Sequence, residues 1–443
     1  MSKRLVLFPL PLQGHQTPML QLANILHSKG FKISIIHTHF NAPNPNNHPF
    51  FRFHPIPKTL LDSKASIADV IGLLNELNEK CVGPFREVLA QIVSEIGGVA
   101  CLISDAMWHF TQGVADEFML PRLVLRTSNP SSFVAFVYMS VFRDKGYLSS
   151  KGDRLERLIP ELPPLKMKDI PILGTCDLEA TYELVRDMIE KTKASRGVIF
   201  NSFEELEGPA LATLRQDLQI PVFAIGPFHK QARPFSSSLL AHERDCISWL
   251  DCHAPKSVLY ISFGSIASVD EADFVEIAWG LANSKQPFLW AIRPGLVRGS
   301  DGPAPLPNGF LETIAKQGRI VMWAPQDEVL SHPAIGGFLT HSGWNSTLES
   351  ICEGVPMLCL PCFGDQMVNA RYVSDVWKVG LRFENGLKRE DIEMATKRIM
   401  VEKEGIEMRH ILAYLKQKAS LSIAAGGSSF TSLEGLVSHI FSF

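Results

Sequence analysis

The chain has 443 residues, of which 46% are hydrophobic and 20% charged, with a net charge of −3. That length exceeds one hydrophobic core, so two or more domains are expected. The slight acidity argues against a nucleic-acid surface, which needs a basic face. No run approaches the ~18 consecutive apolar residues that a membrane-spanning helix needs.

The N-terminus MSKRLVLFPLPLQGH places basic residues before an apolar run. The run stops at Pro9 and Pro11, too soon for a secretion signal, so 4–10 reads as a first strand. Helical periodicity follows over 17–29 through Leu20, Ala23, Ile25 and Leu26, closed by Gly30. Residues 31–36 form the next strand. The segment 41–57 holds five prolines and several asparagines and reads as a loop. Strands at 99–104 and 122–125 flank a helical segment, and 160–174 is proline-rich and irregular. This alternation implies a doubly wound parallel sheet of Rossmann-like type.

His15 stands at the first strand-to-helix turn, and Asp105 follows the strand 99–104, so both lie at the same edge of the sheet. A carboxylate on one imidazole nitrogen fixes the tautomer and leaves the other nitrogen as a base. Taken singly, a histidine at a helix start or an aspartate after a strand is equally well structural. His37, His39, His48, His54 and His109 lack this context, and no spacing of metal ligands occurs.

The stretch 225–238 has no periodicity and is rich in turn and polar residues, which places a linker at about 229–245. The reading divides the chain into a first domain at 1–228, a second at 246–425 and a terminal helix at 426–443. In the second half, strands are expected at 257–263, 288–292 and 319–322, with a helix over 271–281. Then comes WAPQDEVLSHPAIGGFLTHSGWNSTLESICEGVPMLCLPCFGDQ, residues 323–366. A strand at 337–340 breaks at His341-Ser342-Gly343-Trp344. Ser346 and Glu349 have the spacing of a capping box, Gly354 closes the helix, and 355–360 restores a strand. Such a βαβ turn either caps a helix and no more, or holds phosphate on the N–H groups and dipole of a helix start.

Eight cysteines are scattered along the chain, which suggests free thiols in a reducing, cytoplasmic setting. Cys359-Leu-Pro-Cys362 has no second pair at zinc spacing and is read as accidental.

The order and spacing of Trp323, Gln326, His-Ser-Gly-Trp-Asn-Ser, Glu349 and Asp365-Gln366 resemble the signature box of plant UDP-dependent glycosyltransferases. The start P-x-x-x-Q-G-H-x-x-P, from Pro9 to Pro18, and the Ser104-Asp105 segment also match. Nearly the whole chain takes part, and it is most similar to the subgroup that includes steviol and cytokinin glucosyltransferases. The resemblance implies a GT-B architecture, two doubly wound domains facing a cleft. It implies that His15 and Asp105 are catalytic. It places Trp323 on uracil, Ala324 at the uracil edge, and Gln326 and Glu349 on ribose. His341, Asn345, Ser346 and Ser265 would hold the pyrophosphate, while Thr127, Trp344, Asp365 and Gln366 would meet the sugar. Glutamine at the last position is what glucose users generally carry. UDP-glucose is then the donor co-substrate, with no other cofactor, no metal, no membrane contact, and a monomeric enzyme.

The acceptor is expected on the first domain, where Met107, Trp108, Ser132 and Phe136 are candidate pocket residues; Phe136, like Phe133 and Val137, is equally readable as helix core. Their apolar character suits a small lipophilic acceptor, terpenoid, phenolic or nitrogen-bearing. Two other functions compete: a nucleotide-sugar-binding protein without catalysis, against which the intact His15 and Asp105 argue, and a nucleotide-dependent oxidoreductase, for which no G-x-G-x-x-G follows a strand.

Overall fold

A computed structural model describes residues 3–57, 70–96, 98–173, 178–232, 240–300, 302, 304–384 and 386–443. The chain forms two compact units. One comprises Met1–Gly152, Pro171–Leu239 and Ala419–Phe443; the other comprises Asp153–Ile170 and Leu240–Lys418.

The first unit is built on seven parallel strands: β1 (Arg4–Phe8), β2 (Lys32–His37), β3 (Phe51–Pro55), β4 (Val99–Asp105), β5 (Arg122–Arg126), β6 (Val198–Phe200) and β7 (Val222–Ala224). Their order is β3-β2-β1-β4-β5-β6-β7. Strands such as RLVLF and RLVLR are buried along their whole length, as expected where helices cover both faces of a parallel sheet. The winding reverses between β1 and β4, which pair with Phe8 beside Ser104. The terminal helix Ser428–Phe441 puts Leu433, Leu436 and Ile440 into the same core as Leu5, Leu7 and Ile33. Truncating a fully buried leucine such as Leu436 to alanine costs about 2–5 kcal/mol.

The second unit has six parallel strands: β8 (Val258–Ser262), β9 (Phe288–Ala291), β10 (Gly318–Val321), β11 (Ile335–Thr340), β12 (Met357–Cys359) and β13 (Gly380–Arg382). The order is β10-β9-β8-β11-β12-β13, and the winding reverses between β8 and β11. Two Rossmann-like parallel sheets are the components of the GT-B fold.

Three expectations change. The segment 41–57 is not a plain loop: Pro45–Asn47 makes a 3₁₀ turn and 51–55 is β3, paired parallel with β2. Proline survives there because β3 is an edge strand, where one side of the backbone needs no ladder partner. The helix after β11 begins at Trp344 with Gly343 as its N-cap, and no side chain caps it, so Ser346 and Glu349 do not form a capping box. Ser342 adopts a left-handed φ of 65° and turns the chain into the helix three residues early. The expected linker, 229–245, overlaps the short helix Phe228–Gln231 and the first residue of Asp245–Leu250, and its residues 233–239 are outside the described residues.

No helix among the described residues is long and apolar enough to cross a membrane. Seven cysteines there are free thiols.

Candidate active site

In the first unit the site grows from the ends of β1 and β4. Leu12 is extended and starts the helix Gln13–Ser28, so His15 sits in its first turn. Asp105 is the last residue of β4. Because these strands are neighbours at the reversal of winding, the two side chains meet: His15 Nδ1 lies 2.7 Å from Asp105 Oδ2. The carboxylate is fully buried, while the imidazole keeps 23% of its surface exposed. The second carboxylate oxygen accepts the Met107 N–H at 2.9 Å, which holds the group at its other end. Thr127, just past β5, brings its hydroxyl to 3.0 Å from the same Nδ1. The carboxylate therefore claims the Nδ1 proton, and Nε2 carries the lone pair.

Behind this pair lies Arg122, a residue with no motif around it. Its guanidinium is buried and bonds Ser104 Oγ at 2.9 Å and the Lys191 carbonyl at 2.9 Å. Burial pulls its pKa down to about 9, with Asp105 and Asp116 opposing that fall. It remains a cation at neutral pH.

The four acceptor candidates are all buried within the unit. Trp108 stacks on Phe8 at 4.6 Å between ring centres. Ser132 spends its hydroxyl on the Asn129 carbonyl at 3.0 Å, in the first turn of the helix Pro130–Val137. Phe136 packs under the Arg126 guanidinium, 4.9 Å from the ring centre, and the sulfur of Met107 lies 3.5 Å from Arg126 Nη1.

In the second unit, four strand ends contribute. The loop after β8 carries Ser265, and the one after β10 carries Trp323 and Ala324. His341 follows β11, and Asp365 and Gln366 lie beyond β12. His341 is held between two glycines. A Cβ on Gly264 would lie 2.6 Å from its Cε1, and one on Gly343 would lie 2.5 Å from its Nε2. Its Nδ1 is covered and has no hydrogen-bond partner among the described residues. Burial, and then the Arg293 charge, lower its pKa to about 4, so it is neutral at physiological pH.

The first rung of the following helix runs from Thr347 N–H to the Gly343 carbonyl at 2.9 Å. The N–H groups of residues 344–346 precede that ladder and form the positive end of the helix dipole. Trp344 packs its ring near Trp377, 6.2 Å between centres. Gln326 donates to Glu349 Oε2 at 2.7 Å and to Ser346 Oγ at 2.9 Å, so residues 20 and more apart in sequence make one polar cluster. Glu243 receives the Met322 N–H, and its own N–H donates to the Trp323 carbonyl at 2.8 Å, pinning the indole-bearing turn. The Gln366 amide oxygen accepts from Cys362 N–H at 2.9 Å and Phe363 N–H at 3.2 Å, which orients its NH₂ away from that loop. Asn369 joins Asp365 Oδ2, at 3.1 Å, to the Ser342 carbonyl, at 2.9 Å.

The helix Gln366–Arg371 has a further anchor. Asp169, fully buried, accepts from Arg371 Nε at 2.8 Å and from Arg382 Nη1 at 2.5 Å. The strap 153–170 thereby belongs to the second unit despite its place in the sequence. Asp169, Asn369, Glu243 and Arg293 escape sequence reasoning because each acts on backbone or on a side chain distant along the chain. The one available signal was a charged residue directly after an apolar strand, as in FLWAIRPG. Among the described residues, no group of three or more His, Cys, Asp and Glu could hold a metal ion.

A profile of the family "UDP-glucoronosyl and UDP-glucosyl transferase" matches residues 238–415. UDP-glycosyltransferase 76B1 of Arabidopsis thaliana is 51% identical over 437 residues, covering 99% of this chain and 98% of the relative. UDP-glycosyltransferase 76G1 of Stevia rebaudiana is 49% identical over 450 residues, covering 99% and 97%. The crystal structure of UDP-glucose: anthocyanidin 3-O-glucosyltransferase in complex with UDP superposes with a TM-score of 0.88 at 26% identity, over 100% of both chains. The chain belongs to the plant UDP-glycosyltransferase family, and its activity is transfer of a glycosyl group from a UDP-sugar.

Proposed function

We propose that the donor is UDP-glucose and that the acceptor is a hydroxyl of a small lipophilic plant metabolite, joined with inversion to give a β-glucoside. The observation that carries this reading is the 2.7 Å contact between His15 Nδ1 and Asp105, which commits that nitrogen and frees Nε2 as general base. His15 Nε2 takes the acceptor proton as the oxygen attacks the anomeric carbon from the face opposite UDP. The bond from that carbon to the diphosphate oxygen breaks, and UDP leaves with its electron pair. The helix start at 344–346 and neutral His341 receive the growing negative charge, with no metal required.

Trp323 stacks on uracil, and Ala324 meets its edge through the backbone. Gln326 and Glu349 bind ribose; Ser265, Asn345 and Ser346 hold the diphosphate. Asp365, Gln366, the Trp344 backbone and Thr127 meet the sugar. Gln366 is the basis for glucose over other hexoses. The solved relative with UDP is a UDP-glucose enzyme by its own description, which supports the same choice here. Met107, Trp108, Ser132 and Phe136 form the base of the acceptor region, whose apolar character favours terpenoid or phenolic acceptors. A carboxyl or nitrogen acceptor is the alternative chemistry, since a more acidic or more nucleophilic group depends less on a base. We place the enzyme in the cytoplasm as a monomer.

The test is a panel of terpenoid, phenolic and nitrogen-bearing acceptors with UDP-glucose, UDP-galactose and UDP-glucuronate, read by mass spectrometry. Hexose addition from UDP-glucose in excess of the other two supports the donor assignment. Equal use of UDP-galactose would sink it.

A further inference from the structure

Arg293 follows β9 directly and is buried, with 8% of its surface exposed. Each of its three nitrogens donates to a backbone carbonyl: Nε to Gly264 at 2.8 Å, Nη1 to Pro294 at 3.0 Å, and Nη2 to Ala267. Among the described residues no carboxylate pairs with it. Burial lowers its pKa only to about 10, so the charge persists at neutral pH.

A buried cation ordinarily has an opposite charge beside it, because desolvation is costly and carbonyl dipoles offset only part of that cost. Here the guanidinium lies beneath the loop 264–267, which carries Ser265. Gly264 in that loop adopts a φ of +65° and closes on the His341 ring, and the Arg293 charge reaches that ring as well. The loop, His341 and the helix start at 344–346 form one wall, to which the Arg293 cation and the positive end of the helix dipole contribute. An anion bound against that wall supplies the charge that Arg293 lacks.

We infer that Arg293 is a positioning residue for the donor diphosphate: its fork shapes the Gly264–Ala267 loop, and its charge attracts the anion held there. This rests on the proposed donor site. The shaping part is done through the two carbonyls of the loop. The electrostatic part acts through the peptide plane and depends on charge alone.

The experiment is calorimetric titration of UDP and of uridine into the wild-type enzyme, R293Q and R293K. Both ligands carry the base and ribose, so their affinity ratio isolates the diphosphate. In R293Q, UDP affinity should fall roughly tenfold or more while uridine affinity changes by less than about twofold, as expected for loss of one nearby charge in a partly desolvated site. R293K, which keeps the charge and loses the fork, should retain most of the preference for UDP. His341, followed by NMR, should titrate at higher pH in R293Q than in wild type. Equal loss of both ligands in R293Q, or an unchanged preference, would overturn the inference. If R293Q does not fold, a folded R293K that has lost the preference overturns it, and one that keeps it together with the wild-type His341 titration supports it. A wild-type enzyme that binds UDP no better than uridine would instead fail the donor-site reading itself.

Discussion

The ends of β1 and β4 in one unit and of β8 and β11 in the other occupy the same place in two sheets of the same winding, and each pair of ends holds a histidine. Their electrical settings are opposite. His15 rests on the buried Asp105 carboxylate with its ring partly open to solvent. His341 has no carboxylate at hydrogen-bond distance among the described residues, has a covered Nδ1, and feels the Arg293 cation. An imidazole that must accept a proton needs the first setting, since a neighbouring anion stabilises the imidazolium. One that must stay neutral beside an incoming diphosphate suits the second. Strand order therefore selects where a site forms, and a few neighbouring charges select what it does there.

The comparison breaks most sharply at the base. His15→Ala should lower kcat on a hydroxyl acceptor by about 10²–10⁴-fold, the usual contribution of general base catalysis. UDP affinity should stay near wild type, because the donor residues belong to the other unit. Near-normal transfer by this variant would show that the two histidines are not divided as described. Asp105→Asn keeps the shape but offers an amide in place of the anion, and should cost up to about 10⁴-fold in kcat by losing the fixed tautomer. An acceptor with a pKa well below that of an alcohol should recover part of the activity of both variants; failure of such rescue would point to a structural role for the pair.

The second setting is tested at the glycines that hold His341. Gly343→Ala introduces a Cβ at 2.5 Å from Nε2. Gly264→Ala adds a close contact and a strained left-handed backbone. Each should destabilise the enzyme by about 1–3 kcal/mol, as overpacking does. Each should weaken UDP binding in titration while leaving the His15–Asp105 contact, visible as a downfield imidazole proton, unchanged. Loss of that proton signal would show that the two sites are not independent.

The smallest effect is on stability against pH. His341 and His48 have folded pKa values lowered to about 4, and His229 to about 3, chiefly by burial. The unfolded chain takes up these protons near pH 6.5, while the folded one resists until pH 3 to 4. Stability from these groups is thus complete above about pH 6.5 and is lost as pH falls toward 4. Urea unfolding midpoints measured across pH 7 to 4 should decline, and His341→Gln should make the decline shallower. An identical slope in this variant would contradict the burial of His341 as the cause.

Much was legible beforehand because it is local. Apolar runs bounded by glycine or proline marked β1, β4, β8 and β11, and the polar turn at 341–346 was visible as a helix start. Where local reading went astray, a distant partner was responsible. Residues 51–55 of the proline-rich segment 41–57 became a strand because β2 offers them an edge. Ser346 is no cap because Ser342 and Gly343 bend the chain early, and its hydroxyl instead meets Gln326, which arrives from the end of β10.

By itself, the sequence determined the alternation of strands and helices, the polar turns at their ends and the pattern that marks the family, since these depend on neighbours a few residues apart. Only the tertiary structure decided that β1 lies beside β4 and β8 beside β11. Those pairings carry His15 to Asp105 across 90 positions and set Gly264 against His341. It also decided that Asp169 anchors the helix of Gln366 from 202 positions away from Arg371, and that Arg293 is buried on backbone carbonyls, with no carboxylate partner among the described residues. Parallel pairing depends on long crossovers and shared core burial, and no short window of sequence contains either.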